Sequence, residues 1–199
     1  MSTTLLITGF GPFPGAPSNP TGPLVRRLAL RRRPAFAGTL RIPHVFRTSY
    51  AEIEHKLPEL IARHRPDAIL MFGLAARTKH LRIEMQARNG VTSMFADADG
   101  QKPGARLLTA KGRSALQVRA PFMHLLQAAR ASGVPVNLSR DAGRYLCNAL
   151  FWRALETSGP RVVAFVHVPR LRKNLALNDL VRAGEAIMLT VLAAARRPR

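Results

Sequence analysis

Three side chains in this sequence belong to the types that nucleophilic catalysis combines: a cysteine, a histidine and a glutamate. Cys147, the only cysteine, lies in the segment 143–148, where a helix is predicted to begin. A thiol at that place meets the positive end of the helix dipole, which favours the nucleophilic thiolate. His167 ends the apolar run 162–166 and would serve as general base, while Glu84, flanked by two apolar residues, could orient the imidazole and stabilise its charged form.

Each of these residues also has an ordinary structural interpretation. A lone cysteine is commonly a small buried hydrophobe. A histidine that closes a strand can be a core residue bonded to the backbone, and a glutamate in an alternating strand can simply face solvent. Local sequence leaves both interpretations open. The other histidines are weaker candidates for a general base, because they fall on predicted helices or exposed-looking strand positions: His44, His55, His64, His80 and His124.

Strands and helices are predicted to alternate along the chain. Hydrophobic patterning indicates strands at 3–8, 39–46, 67–73, 81–88, 135–138 and 161–168. Helices are predicted at 20–30, 121–131 and 145–157. Another is predicted to begin at a capping box formed by Ser49 and Glu52, with a kink or break at Pro58, and a last one to run from a cap at Asn178 to Arg196.

This alternation predicts one α/β domain over residues 1–199. We expect three layers, with helices on both faces of a mixed, largely parallel central sheet. In such sheets the reactive site tends to lie at the carboxyl ends of the strands. Segments 9–15 and 73–77 and His167 all follow or end predicted strands, so a single cleft could hold them.

Composition excludes several classes of protein. One cysteine cannot form an internal disulfide, which excludes the disulfide-rich secreted class and favours a reducing, cytoplasmic location. The uncharged apolar stretches 68–76 and 186–195 are shorter than the ~20 residues of a membrane span, so no membrane association is expected. The amino-terminal 25 residues lack a basic start and are interrupted by Gly and Pro, unlike a signal peptide.

The net charge of +20 is the strongest compositional feature. A positive field attracts polyanions, yet the 26 arginines are scattered and aromatic residues do not interleave with them as in a stacking platform. A solvated surface is the favoured interpretation, without a specific nucleic-acid partner. The glycines of segment 9–15 miss the dinucleotide fingerprint, and no P-loop or metal-ligand spacing occurs, so we expect no cofactor and no metal.

Four motif segments occur along the chain in a characteristic order. They are Thr8-Gly9-Phe10-Gly11-Pro12-Phe13-Pro14-Gly15 with Asn19-Pro20, then Gly73-Leu74-Ala75-Ala76-Arg77 with Ile83-Glu84 and Ala87-x-Asn89, then Gly143-x-Tyr145-Leu146-Cys147-Asn148, and Phe165-Val166-His167-Val168-Pro169. In order and spacing they resemble pyroglutamyl peptidase I (pyrrolidone-carboxylate peptidase), a family of cysteine peptidases. The resemblance runs across nearly the whole chain.

The resemblance implies a catalytic triad and a substrate. Cys147 would be the nucleophile, His167 the general base and then acid, and Glu84 the residue that orients the imidazole. The reaction would release amino-terminal pyroglutamate (5-oxoproline) from peptides through a thioester acyl-enzyme. The implied substrate-binding residues are Phe10, Phe13 and Tyr145, which would pack on the lactam ring, and Leu74, whose backbone would bind it. A homo-oligomer, a tetramer, is also implied.

Departures from the family pattern cluster around Glu84. Leu74 stands where the family usually has Gln, and Arg82 replaces a usual Ser or Thr. The family arginine about ten residues beyond the glutamate falls near Met94, and losing a positioned cation could cost a few kcal/mol of transition-state stabilisation. Tyr145 replaces a usual Phe, and Met85 and Gln86 replace a basic and an aliphatic residue. Two alternatives therefore stay open: a relative with drifted amide specificity, and a basic polyanion-binding protein without catalysis.

Overall fold

The computed structural model describes residues 2–13 and 15–197. Pro14, which belongs to the motif segment 8–15, lies outside the described residues. The strands are β1 (Thr3–Phe10), β2 (Thr39–Phe46), β3 (Ala68–Leu74), β4 (Leu81–Glu84), β5 (Gln86–Arg88), β6 (Ala115–Gln117), β7 (Val136–Ser139) and β8 (Val162–Val168). The helices are α1 (Thr21–Ala29), α2 (Tyr50–His64), α3 (Phe122–Ala131), α4 (Leu146–Glu156) and α5 (Leu177–Arg196), with one 3-10 turn at Pro34–Phe36.

The predicted three-layer α/β architecture with a mixed central sheet is confirmed. Six strands form the sheet in the order β2-β1-β3-β8-β4-β7. Strands β2, β1, β3 and β8 are parallel, whereas β4 runs antiparallel to β8 and parallel to β7. Helices α1, α3 and α5 cover one face, and α2 and α4 cover the other.

The central strands are buried on both faces, as their continuous apolar runs predict. Every residue of β8 is buried, and so is every residue of β3 except its last. The apolar face of α4 packs on one side of them with Leu150 and Phe151, and α5 packs on the other with Ile187 and Met188. Each such fully buried side chain contributes about 1.5–3 kcal/mol relative to an exposed one. The core therefore holds the carboxyl ends of β3 and β8 rigidly.

The single strand predicted at 81–88 is wrong, because the structure divides it at Met85. Residues before this point form β4 in the main sheet, and those after it form β5, which pairs with β6 in a separate two-stranded ribbon. Met85 joins the two: its N–H donates to the Ser139 carbonyl at 2.7 Å, and its carbonyl accepts from Val118 N at 2.8 Å. Because β4 lies between two strands and under a helix, Glu84 is buried rather than facing solvent.

Two element boundaries extend further than predicted. Strand β1 continues through Gly9 to Phe10, since both residues pair with β2. A Cβ at Gly9 would lie 2.8 Å from the Thr21 carbonyl oxygen, so glycine allows α1 to approach the strand end. Helix α2 continues through Pro58 without a break. Proline removes only its own N–H bond, while the buried apolar stripe of α2 keeps the helix on the sheet.

The predicted cap at Asn178 is also wrong. Helix α5 begins at Leu177, one residue before Asn178. The carboxylate of Asp179 accepts the backbone N–H of Ala176 at 2.8 Å and so caps the first turn. Asn178 instead accepts a hydrogen bond from Arg27 at 2.7 Å, on the surface. Within residues 2–13 and 15–197, no helix is long and apolar enough to cross a membrane.

Candidate active site

Cys147 lies in the first turn of α4, directly after Leu146. The first intrahelical bond runs from Ala149 N to the Tyr145 carbonyl at 3.0 Å. The N–H groups before it, including that of Cys147 itself, therefore have no acceptor within the helix. They leave the positive end of the helix dipole beside the thiol, as the sequence predicts.

Asn148 holds the start of α4 against the segment that follows Glu84. This fully buried side chain accepts from Arg88 N at 2.8 Å and donates to the carbonyl oxygens of Arg88 and Gly90 at 2.8 and 3.0 Å. Both amide hydrogens and the carbonyl oxygen of Asn148 are thus engaged by the segment 88–90, which fixes the position of the helix end. The local sequence identifies Cys147 as a candidate, but the hydrogen bonds of the neighbouring Asn148 are made with residues about 60 positions earlier in the chain.

Gly73 creates the space in which the thiol lies. It is aligned with His167 across β3 and β8. A Cβ at Gly73 would lie 2.7 Å from Cys147 Sγ and 2.8 Å from Cζ of Phe165. Real Cβ atoms do not approach so closely, so a glycine is required for Cys147 to sit over the sheet next to His167.

We predict that Gly73→Ala displaces the Cys147 thiol and lowers kcat/KM by about 100-fold or more, because ångström-scale misplacement of reacting groups is costly. The matched control is Gly104→Ala, since a Cβ at Gly104 meets nothing within 4 Å. Steady-state hydrolysis and thermal melts of both variants check this. Equal activity in the two variants would show that the thiol does not need this position.

His167 and Glu84 form a buried pair at the centre of the site. On the antiparallel strands β4 and β8, Glu84 is opposite Phe165, two residues along β8 from His167, so the two side chains lie on the same face of the sheet. His167 Nδ1 lies 2.8 Å from Glu84 Oε1. Their exposed fractions are 5% and 0%. With Glu84 ionised, Nδ1–H is the donor, which leaves Nε2 as the ring's other nitrogen for proton transfer.

The electrostatics of the pair favour a protonated imidazole. Burial by itself lowers the pKa of His167, but hydrogen bonding and charge interaction with Cys147 and Glu84 outweigh it and raise the pKa to about 9. At neutral pH the ring is therefore an imidazolium, which is the form that stabilises a neighbouring thiolate.

Arg82, two residues before Glu84 on β4, contacts the same carboxylate. Its Nη2 atom lies 3.1 Å from Glu84 Oε1. The same nitrogen donates to Ser139 Oγ and to the Asp141 carbonyl oxygen. Sequence reasoning identified Arg82 only as a departure from the family pattern, and its contacts with the site depend on the packing of β4 against β7.

A small cavity of about 60 Å³ opens next to the thiol. Its walls include the Cys147 thiol and all four residues expected to bind substrate: Phe10, Phe13, Leu74 and Tyr145. Three further wall residues were not assigned to a pocket from the sequence: Asn19, Thr48 and Leu146. Asn19 belongs to the first motif segment without a predicted role in a pocket, and nothing in the sequence around Thr48 indicates a pocket. The Thr48 hydroxyl is buried and has no hydrogen-bond partner within the described residues.

A second, larger cavity of about 630 Å³ lies on the His167 side. It shares Phe13, Leu74 and Tyr145 with the small one. Its wall is mostly apolar, formed by parts of the loops at 74–78, 95–98 and 141–145, with Arg82 at its edge. Phe13 and Gly15, residues 74–77 and His167 thus meet in one cleft, as the predicted positions of their segments at strand ends indicate.

The position at which the family arginine is expected is occupied by an uncharged residue, Met94. Met94 is 76% exposed, and its neighbour Phe95 lines the larger cavity. Two other cations, Arg77 and Arg82, line that cavity. Over residues 2–13 and 15–197, no three His, Cys, Asp or Glu side chains converge in a set that could hold a metal ion.

Comparison with known proteins agrees with the geometry. A family model described as pyroglutamyl peptidase matches residues 3–194. The chain belongs to the pyroglutamyl peptidase family. Members of this family are cysteine peptidases, so the expected enzyme class is confirmed.

Relatives extend over nearly the whole chain. Pyrrolidone-carboxylate peptidase from Streptococcus suis is 31% identical, covering 91% of this chain and 88% of that protein. The Levilactobacillus brevis protein of the same name is 32% identical over 96% and 98% of the two chains. Among solved structures, pyroglutamyl peptidase I of Bacillus amyloliquefaciens is 25% identical with a TM-score of 0.85, covering 96% of this chain and 98% of its own.

Proposed function

We propose that this chain removes amino-terminal pyroglutamate from peptides, with Cys147 as nucleophile, His167 as general base and acid, and Glu84 orienting the imidazole. One observation carries the proposal: the buried Glu84–His167 pair lies beside a thiol at a helix start, next to a small apolar pocket. The thiol, the imidazole and the carboxylate correspond in type to a nucleophile, a general base and an orienting group.

The small cavity would bind the 5-oxoproline ring, which is flat, compact and uncharged. Phe10, Phe13 and Tyr145 supply aromatic walls for its faces. The lactam also needs hydrogen-bond partners, since burying an amide without them costs free energy. The unpartnered hydroxyl of Thr48 and the backbone of Leu74 are the groups that we assign to it.

The reaction then follows in two stages. The Cys147 thiolate attacks the carbonyl carbon of the pyroglutamyl residue, and the N–H groups of the first turn of α4 stabilise the oxyanion. The His167 imidazolium donates its proton to the leaving amine, the C–N bond breaks and a thioester remains. His167, now neutral, takes a proton from water, which attacks the thioester and releases pyroglutamate and the free thiol.

The larger cavity would hold the leaving peptide. It begins at His167, which must reach the amine nitrogen, and continues past the apolar loops at 74–78 and 95–98. Its volume of about 630 Å³ greatly exceeds that of the ring pocket. A small pocket before the scissile bond and a much larger cleft beyond it fit an enzyme that removes one residue from the amino terminus.

A set of fluorogenic amides that share one leaving group tests the proposal. We expect the pyroglutamyl amide to exceed the prolyl, glutamyl and acetyl amides by about 100-fold or more in kcat/KM, because a site with buried polar groups rejects analogues that leave them unpaired. Thiol-dependent cleavage of another amide, with the pyroglutamyl amide inert, would favour drifted specificity. No cleavage of any amide would contradict the peptidase proposal.

A further inference from the structure

The Arg82 guanidinium contacts both Glu84 and the chain segment at 139–141. It contacts Glu84 Oε1 at 3.1 Å, and the same Nη2 atom donates to Ser139 Oγ at the end of β7 and to the Asp141 carbonyl in the loop that leads into α4. Its backbone position is directly opposite His167 on β8. The side chain therefore connects the orienting carboxylate to the entry of the nucleophile helix.

The two carboxylate oxygens of Glu84 differ in their contacts. Oε1 receives both the imidazole at 2.8 Å and the guanidinium at 3.1 Å. Oε2 is buried and has no hydrogen-bond partner within the described residues. The interactions of this carboxylate are thus concentrated on one oxygen, where Arg82 and His167 compete for the same negative charge.

We propose that Arg82 is a positioning residue that holds Glu84 and the 139–141 loop in place and weakens the hold of Glu84 on the imidazolium proton. The proposal rests on the proposed function. It explains how a buried carboxylate can orient His167 without making the imidazolium too poor an acid for the leaving amine. Arg82 occupies the place of the small hydroxyl residue usual in the family, so the device belongs to this chain.

Arg77, Asp97, Asp141 and Tyr145 line the larger cavity together with His167, while three other charged or titratable groups lie closer to the ring or its carboxylate partner. Glu84 and Arg82 come from β4, and Cys147 comes from α4. Glu84 favours the charged ring, whereas a guanidinium at this carboxylate opposes it. Removing Arg82 should therefore raise the pKa of His167 further above about 9.

The test is the alkaline limb of kcat/KM for the pyroglutamyl amide. We expect Arg82→Gln and Arg82→Ser to shift this limb upward by about one pH unit and to lower kcat/KM at neutral pH by about 3- to 30-fold, since a more tightly held proton is transferred less readily. Arg82→Lys keeps the positive charge and should restore the wild-type limb. Arg77→Gln is the matched control, because it removes an exposed cation from the wall of the same cavity.

A limb that stays in place or moves down in both neutral variants would overturn the proposal, and so would an equal shift in Arg77→Gln. The pH dependence of Cys147 alkylation by iodoacetamide reports the same ionisation without substrate. A shifted alkylation limb in a protein that does not cleave pyroglutamyl amides would uphold the role of Arg82 while contradicting the proposed function. If Arg82→Gln fails to fold, Arg82→Ser, which restores a family-type side chain, decides the question.

Discussion

Cys147→Ala is expected to reduce hydrolysis of pyroglutamyl amides by at least about 10,000-fold, because removing the nucleophile of a triad leaves only binding and oxyanion stabilisation. No other cysteine is present to replace it. Cys147→Ser should be similarly inactive, since a serine hydroxyl does not ionise beside an imidazolium as a thiol does. Initial rates with active-site-titrated wild type as the reference measure both effects.

Folding of these variants is the necessary control. Cys147 is only partly buried, and alanine is smaller and helix-favouring, so thermal stability should stay close to that of the wild type. Iodoacetamide should inactivate the wild-type enzyme by labelling Cys147, and pyroglutamate should slow the labelling. Undiminished turnover by folded Cys147→Ala would remove the nucleophile from the account.

Glu84→Gln should have the second largest effect, a loss of about 100- to 10,000-fold in kcat/KM, as for other orienting carboxylates. Glutamine keeps the shape but loses the charge that supports the imidazolium across 2.8 Å. The wild-type alkaline limb should lie near pH 9, where His167 loses its proton. Without the carboxylate the pKa of His167 falls, so this limb moves to lower pH, opposite to the shift expected for neutral variants of Arg82.

Glu185→Gln provides the matched control for Glu84→Gln. Glu185 is also a nearly buried glutamate, 4% exposed, but it pairs with Arg31 and Arg33 away from the cleft. We expect this variant to lose stability and to keep the wild-type pH limb. An unchanged limb in Glu84→Gln, or the same shift in both variants, would show that Glu84 does not act through His167.

The sequence predicts much of the fold because its strongest patterns are local. The apolar runs before His167 and Gly73 can form only buried strands in a chain of this kind, and the helix start at Cys147 follows from the turn residues before it. The outer sheet order is harder to predict, because β4 is antiparallel and short.

Glu84 shows where local patterning fails. An alternating strand predicts an outward-facing carboxylate, yet Glu84 is fully buried because β7 and β8 flank its strand and the ribbon of β5 and β6 diverts the chain after it. The position of Arg82 beside it has the same origin. Thr48 illustrates a second limit, since it lies in a connection between elements and reaches the small cavity only through tertiary packing.

The sequence has no cation near Met94, where the family arginine is expected, but the structure shows a cation elsewhere in the cleft. Met94 is exposed, whereas Arg82 lines the larger cavity and contacts the carboxylate of the buried pair. A charge is therefore present close to His167, although it comes from β4 and not from the loop that contains Met94. The tetramer and the cytoplasmic location stay predictions, and light scattering of the purified protein tests the first of them.

The most direct test of the central claim is intact-mass analysis of the acid-quenched enzyme during turnover of a pyroglutamyl amide. The account predicts a species heavier by one 5-oxoprolyl group, located on Cys147 by peptide mapping, released by hydroxylamine and absent in Cys147→Ala. A single-turnover experiment that catches product formation with the thiol unmodified throughout, or an acyl group on another residue, would contradict the thioester mechanism.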